Sequence, residues 1–182
     1  MQRPDQPGPV TALILHGYWR SSATYRVRIA LALKQLPFEQ IDHDLRTGAQ
    51  SHPAYRALAP AGLVPAVEAD GQALVQSVAI LEWLEERFPA PPLLPGDPSA
   101  RAVVRGMMQT IACDVHPLNN LRVLNYLREE LDADREAIRR WVSQWIGAGF
   151  AALEAMVERH GGRFAFGDVP TLADCLIVPQ VY

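Results

Sequence analysis

Ser21-Ser22-Ala23-Thr24-Tyr25-Arg26-Val27-Arg28-Ile29-Ala30-Leu31 is the stretch from which the fold can be read. It follows an apolar run, Ala12-Leu13-Ile14-Leu15, that reads as a short buried strand. His16 to Arg20 then read as a loop, and the pattern turns helical from Ser22 to about Leu36. Val27, Ala30, Leu31 and Leu33 share one face at helical spacing, with Arg26 and Lys34 available to the other. A pair of serines therefore stands at the mouth of a helix that opens just after a strand. Hydroxyls donate hydrogen bonds, and a helix start adds free N–H groups and partial positive charge, so the place suits an anion. Serine is also a favoured N-cap, and the local pattern fits that use equally.

Working outward, Phe38-Glu39-Gln40-Ile41-Asp42 alternates apolar and polar residues and predicts a second strand. Residues 47–63 contain Gly48, Pro53, Pro60 and Gly62 and predict a loop with one short helical turn. Val67-Glu68-Ala69 and Ala73-Leu74-Val75 flank Asp70-Gly71, a strong hairpin signal. Ser77 is expected to cap a helix running to about Arg87, with Val78, Leu81 and Leu84 on one face. Strand, helix, strand, loop, hairpin, helix is the order of a thioredoxin-like domain, expected over residues 11–89. Residues 1–10 are polar and proline-rich and are expected to form a mobile tail.

Pro89 to Pro98 holds five prolines and a glycine. Proline at this density stops helices and stiffens a connection, so a linker is expected over residues 90–98. Everything beyond reads as helix. One helix is expected from Ser99 to about Ala112 and another from Leu118 to Leu131, kinked or continuous near Pro117. A long helix from Asp134 to Val157 carries Ile138, Trp141, Val142, Trp145, Ala148 and Ala152 in a buried stripe. Thr171-Leu172-Ala173-Asp174 opens a last helix as a capping box with Asp in the usual Glu position. The expected fold class is an α/β thioredoxin-like N-terminal domain, with a mixed four-stranded sheet, plus an all-α C-terminal domain over residues 99–182.

The motif Ser21-Ser22, followed by Arg26-Val27-Arg28-Ile29-Ala30-Leu31, resembles the opening motif of zeta-class glutathione transferases, the group that includes maleylacetoacetate isomerase. Further matches follow in order: Leu63-Val64-Pro65-Ala66, Gln76-Ser77-Val78-Ala79-Ile80, His116 to Leu124, and Val178-Pro179-Gln180-Val181. One position departs from the pattern: the family has Cys two places after the first serine, where this chain has Ala23. That removes any thiol redox role there and leaves a serine mechanism untouched. Family members continue past the position of Tyr182, so the helical domain is expected to be incomplete at its C-terminus.

The resemblance implies glutathione as cofactor. A free thiol has a pKa of about 8.5, and a serine hydroxyl at a helix start lowers it without competing as a base. Ser21 matches the family's catalytic serine and Ser22 its neighbouring donor; the residues themselves leave the choice open. By the same resemblance Val64, before a cis Pro65, offers its backbone to the cysteinyl part of glutathione. Gln76 and Ser77 hold the γ-glutamyl carboxylate, and Gln50 contacts the glycyl end. His116 and Asn120 belong to a segment that lines the cleft opposite glutathione. Arg20 and Arg122 are the candidates for binding a dicarboxylate substrate, since the guanidinium fork matches a carboxylate.

Composition narrows the classes. Among 182 residues, 49% are apolar, enough for a real core, and the net charge of −3 argues against a nucleic-acid binder. No apolar run approaches bilayer length, and the N-terminus has no apolar core of a secretory signal. Cys113 and Cys175 suggest no disulfide framework and read as buried, unreactive thiols, so a reducing cytoplasm is expected. The five histidines are scattered, with no motif around a nucleophile and no metal-ligand spacing. The family implies a homodimer. The leading expectation is a glutathione-dependent cis–trans isomerase of maleylacetoacetate or maleylpyruvate. Conjugation of small electrophilic acids by the same thiolate, and a non-catalytic binding module on the same fold, are the alternatives.

Overall fold

Burial explains the first helix better than surface amphipathicity does. The structure, a computed structural model, describes residues 12–182; the expected tail lies outside the described residues. Strand β1 spans Leu13–Gly17 and helix α1 spans Ser22–Leu33. Val27, Ala30 and Leu31 are buried as expected, but so are Arg26 and Lys34, which the sequence pattern placed on the open face. Lys34 escapes solvent because its Nζ donates to Glu85 Oε2 at 2.7 Å, to the Phe88 carbonyl at 2.7 Å and to the Pro91 carbonyl at 2.9 Å. A buried ammonium is tolerated only with partners of this kind.

Helix α1 stops three residues short of the expected Leu36. Leu36 N donates to Leu31 O and Gln35 N to Ala32 O, while Gln35 takes a φ of 54°. That is a Schellman end with Gln in the position usually held by Gly, which is why no stop was legible there. Strand β1 conversely runs two residues past its expected end, through His16 and Gly17. His16 is buried and finds side-chain partners in Glu68 and His43, so its polarity did not mark a loop.

Strand β2, Phe38–Asp42, lies parallel to β1, with Leu13 opposite Phe38. A short 3₁₀ turn, Ala49–Ser51, and helix α2, Pro53–Leu58, follow. Strands β3, Ala66–Ala69, and β4, Gln72–Val75, form the hairpin, and β3 pairs antiparallel with β1. Asp70 and Gly71 have φ of 49° and 75°, the positive pair that a two-residue hairpin of this twist requires. The sheet order is β2-β1-β3-β4, mixed and four-stranded, a thioredoxin-like sheet. Helix α3, Ser77–Arg87, packs on α1. Leu15, Val27, Leu31, Val67, Ile80, Leu81 and Leu84 are fully buried in this part of the chain. A smaller cluster of Tyr55, Ala59 and Ala66 gathers Leu58 and Val64 around it.

The chain forms two compact units, one reaching Leu93 and the other starting at Leu94. The second is helical. Helix α4, Pro98–Gln109, is capped by Asp97 and runs into a wide π turn, Thr110–Val115, then a 3₁₀ turn, His116–Asn119. Pro117 has no N–H to give and its ring clashes with an ideal helix, so the backbone loosens before it. Helix α5, Leu121–Glu129, is therefore a separate element, shorter than expected. Helix α6, Arg135–His160, is capped by Asp134 and extends three residues beyond the expected end. Its buried line passes through Ile138, Gly149 and Leu153, while Ala148 and Ala152 are exposed, because the stripe drifts around a helix of this length. A Cβ on Gly149 would strike Val115, so glycine lets α6 approach the π turn. Helix α7, Leu172–Val181, opens as expected: Asp174 Oδ2 accepts from Thr171 N at 2.7 Å. Cys175 is buried, but Cys113 is exposed on the π turn, its thiol donating to Gln109 Oε1 at 2.9 Å.

Candidate functional site

Strand directions bring the candidate residues of the first unit to one end of the sheet. The carboxyl end of β1 leads through Tyr18-Trp19-Arg20 to Ser21. Strand β3 is antiparallel to β1, with His16 opposite Ala66, so Val64 and Pro65 sit beside that same end. Val75 also pairs with Ala66, which delivers Gln76 and Ser77 there. Strand β2 is parallel to β1 and ends there too, feeding the segment that carries Gln50.

Ser21 is the N-cap of α1, its Oγ accepting from Thr24 N at 3.1 Å. The cap bond uses a lone pair, so the hydroxyl proton stays available to a ligand. Both uses of the serine are thus compatible. Ser22 is the first helical residue and is half-buried, as Ser21 is. The first turn of α1 contains no acidic residue, leaving the helix's positive end uncompensated. Two contacts steady the approach to Ser21: Ser21 N donates to Tyr18 O at 3.0 Å, and Arg28 Nη2 donates to Trp19 O at 3.3 Å.

The Val64–Pro65 peptide is cis. Val64 precedes the β3 ladder, so strand pairing does not use its N–H and C=O. Tyr55 holds the preceding residue, its hydroxyl donating to Leu63 O at 2.8 Å. Burial pushes the Tyr55 phenol up to about 12, so it remains a donor at any physiological pH.

Helix α3 corrects one expectation. Its N-cap is Gln76, which makes no side-chain cap bond, and Ser77 is the first helical residue. Gln76 has a φ of 72°, a conformation that L-residues adopt at a cost of about 1–3 kcal/mol. The first-turn N–H groups of α3 are consequently not taken by a cap side chain, and no acidic residue lies in that turn. Ser77 is buried and its Oγ accepts from Arg26 Nη1 at 3.1 Å. Gln50 is half-buried in the 3₁₀ turn, and its Oε1 is buried without a hydrogen-bond partner among the described residues.

Arg20 is exposed, its guanidinium 5.5 Å from the centroid of the Trp19 ring, itself 60% exposed. In the second unit His116 opens the 3₁₀ turn and is half-buried. Asn120 is the N-cap of α5, its Oδ1 accepting from Arg122 N at 3.1 Å, and the Arg122 side chain is exposed. Trp141 fixes this segment: its Nε1 donates to Leu118 O at 2.8 Å. Asn119, which the sequence reading passed over, donates to Val115 O at 2.9 Å, while its Oδ1 is buried without a partner among the described residues.

Sequence reasoning also missed two clusters. Arg26 against Ser77 is one. The other is on β1, β2's exit and β3: His16 Nε2 lies 2.7 Å from Glu68 Oε1, and His16 Nδ1 lies 2.9 Å from His43 Nε2. The His43 ring stacks obliquely on Tyr55 at 4.1 Å. Positions 16, 43 and 68 are far apart in sequence, and only the strand register joins them.

The donor set fits glutathione. A half-buried hydroxyl at a helix start suits a thiolate, a backbone segment outside the strand ladder suits a peptide, and an uncapped helix start with a buried hydroxyl suits a carboxylate. Comparison with known proteins agrees. Residues 20–87 match the family described as glutathione S-transferase, N-terminal domain. A maleylpyruvate isomerase from Ralstonia is 48% identical over 92% of this chain and 80% of its own. A holo structure of a bacterial zeta-class maleylpyruvate isomerase has a TM-score of 0.89 at 48% identity, again over 92% and 80%. The glutathione-bound maleylacetoacetate isomerase of Anaeromyxobacter dehalogenans has a TM-score of 0.83 at 46% identity, over 94% and 80%. On motif, fold and relatives alike, the chain belongs to the zeta class of glutathione transferases, the family of the maleylacetoacetate and maleylpyruvate isomerases.

Proposed function

We propose that this chain is a glutathione-dependent cis–trans isomerase of a small maleyl-type dicarboxylate, maleylacetoacetate or maleylpyruvate. The observation that carries the reading is the convergence of Ser21, Val64 and Ser77 at one sheet end, in a chain 48% identical to a maleylpyruvate isomerase. Bound glutathione supplies a thiol nucleophile whose reversible addition to the double bond permits rotation.

The chain's own residues do the rest. Ser21, with its proton directed to the ligand and a positive helix end behind it, favours the ionised thiol. Ser22 is the second donor at that place. Val64 aligns the peptide part as an added strand would, and Gln50 takes its glycyl end. Gln76 and Ser77 take the γ-glutamyl carboxylate at the start of α3. His116 and Asn120 are further cofactor contacts. Arg20 and Arg122 hold the substrate's carboxylates and stabilise negative charge that develops next to them.

The protein is proposed to act as a homodimer in the cytoplasm. Neither of its two cysteines is in a disulfide, in keeping with a reducing compartment. No helix among the described residues is long and apolar enough to cross a membrane. Incubation with maleylpyruvate or maleylacetoacetate should remove the cis isomer only when glutathione is present, with glutathione returned unconsumed. Stoichiometric loss of glutathione would assign conjugation, and no glutathione binding at all would assign a non-catalytic module.

A further inference from the structure

Arg26 lies four residues after Ser22 on α1, so it projects from the same helical face. It is 2% exposed, and Nη1 donates to Ser77 Oγ at 3.1 Å. Its Nε and Nη2 are buried with no hydrogen-bond partner among the described residues, and no carboxylate among those residues pairs with it. Burial pushes its pKa down to about 10, which leaves it charged at neutral pH. A buried cation ordinarily comes with an internal carboxylate, because uncompensated charge in a low-dielectric interior is costly. Lys34, on the same helix, follows that rule through Glu85. Arg26 does not, and it points at the start of α3, whose first turn holds no acidic residue and no side-chain cap.

We propose that Arg26 is a positioning residue for the carboxylate seat at the start of α3. It orients the Ser77 hydroxyl as a donor and lends its unpaired charge to the ligand's carboxylate. The inference rests on the reading that glutathione is that ligand. By occupying a lone pair of Ser77 Oγ, the guanidinium leaves the serine proton to point away from it, toward an acceptor at the helix start. An internal carboxylate beside Arg26 would abolish the arrangement, since it would take the charge that the ligand needs.

The test is calorimetric titration with two ligands: glutathione, and 4-aminobutyryl-cysteinyl-glycine, which lacks only the α-carboxylate of the γ-glutamyl residue. Arg26→Met should weaken glutathione about tenfold or more while changing the analogue by less than about twofold, the loss of one charge-assisted contact. Arg26→Lys keeps the charge and should retain most of the preference for glutathione over the analogue. If the methionine variant does not fold, Arg26→Gln, which keeps a donor and drops the charge, carries the same expectation. Equal weakening of both ligands would make Arg26 a packing residue and overturn the proposal, as would unchanged glutathione binding. Wild-type protein that binds neither ligand overturns the glutathione reading itself, and this inference with it.

Discussion

Ser21 shows how one side chain serves structure and chemistry together. Its oxygen caps α1 through Thr24 N, and its proton is left for a ligand. Ser21→Ala should lower turnover by about 100- to 1000-fold, the cost of one donor in a preorganised anion site, with a smaller change in glutathione affinity. Ser77→Ala should do the reverse, raising the glutathione requirement with less effect at saturation. Steady-state kinetics over a glutathione series separates the two. His43 gives a pH-dependent expectation. Burial, then the charge of His16, hold its imidazole below the ordinary 6.5, with Asp42 opposing in part. Its Nε2 faces His16 Nδ1 at 2.9 Å, so two protonated rings would set N–H against N–H. A depressed imidazole contributes stability that is complete above 6.5 and is lost as pH falls through its folded value. Urea midpoints should therefore fall on acidification below 6.5, and His43→Gln should flatten part of that slope. An unchanged slope would remove His43 as a source.

At the scale of elements, the ends of α1 carry the information. Its start was legible from serines before an apolar period, and its end was not, because Gln35 occupies the left-handed position where glycine is usual. Gln35→Gly should raise stability by about 0.5–1 kcal/mol, read as a higher urea midpoint at unchanged slope. Lys34, beside it, anchors α1 to α3 and to the segment after α3 through Glu85, Phe88 and Pro91. Glu85 extends the anchor by accepting from Leu93 N at 3.0 Å. Lys34→Met should cost about 3–5 kcal/mol, because it strands a buried carboxylate. A loss below about 1 kcal/mol would show the pair to be replaceable by packing. In the second unit, Pro117 and Gly149 explain the broken helix: one interrupts the backbone ladder, the other lets α6 close on the π turn.

For the whole molecule, the proposed homodimer should sediment as one species of twice the chain mass at micromolar concentration, and a monomer would remove that proposal. Much of the molecule was already determined by the sequence. Period and turn chemistry specified the strand–helix–strand–hairpin–helix order, since apolar spacing and Asp-Gly act through neighbours a few residues apart. The same local logic located Ser21, Ser22, Gln76 and Ser77 at element ends, and the Asp174 box at the start of α7, while Val64 was marked only by the family resemblance. Other features were decided only by tertiary structure. Arg26 and Lys34 look like surface cations on a helical wheel, and only the approach of α3 buries them. His16, His43 and Glu68 mean nothing by spacing, and only the β2-β1-β3 register brings them within hydrogen-bond reach. The reason is physical. Local sequence sets backbone preference, whereas the burial of a charge is settled by partners that arrive from elsewhere in the chain.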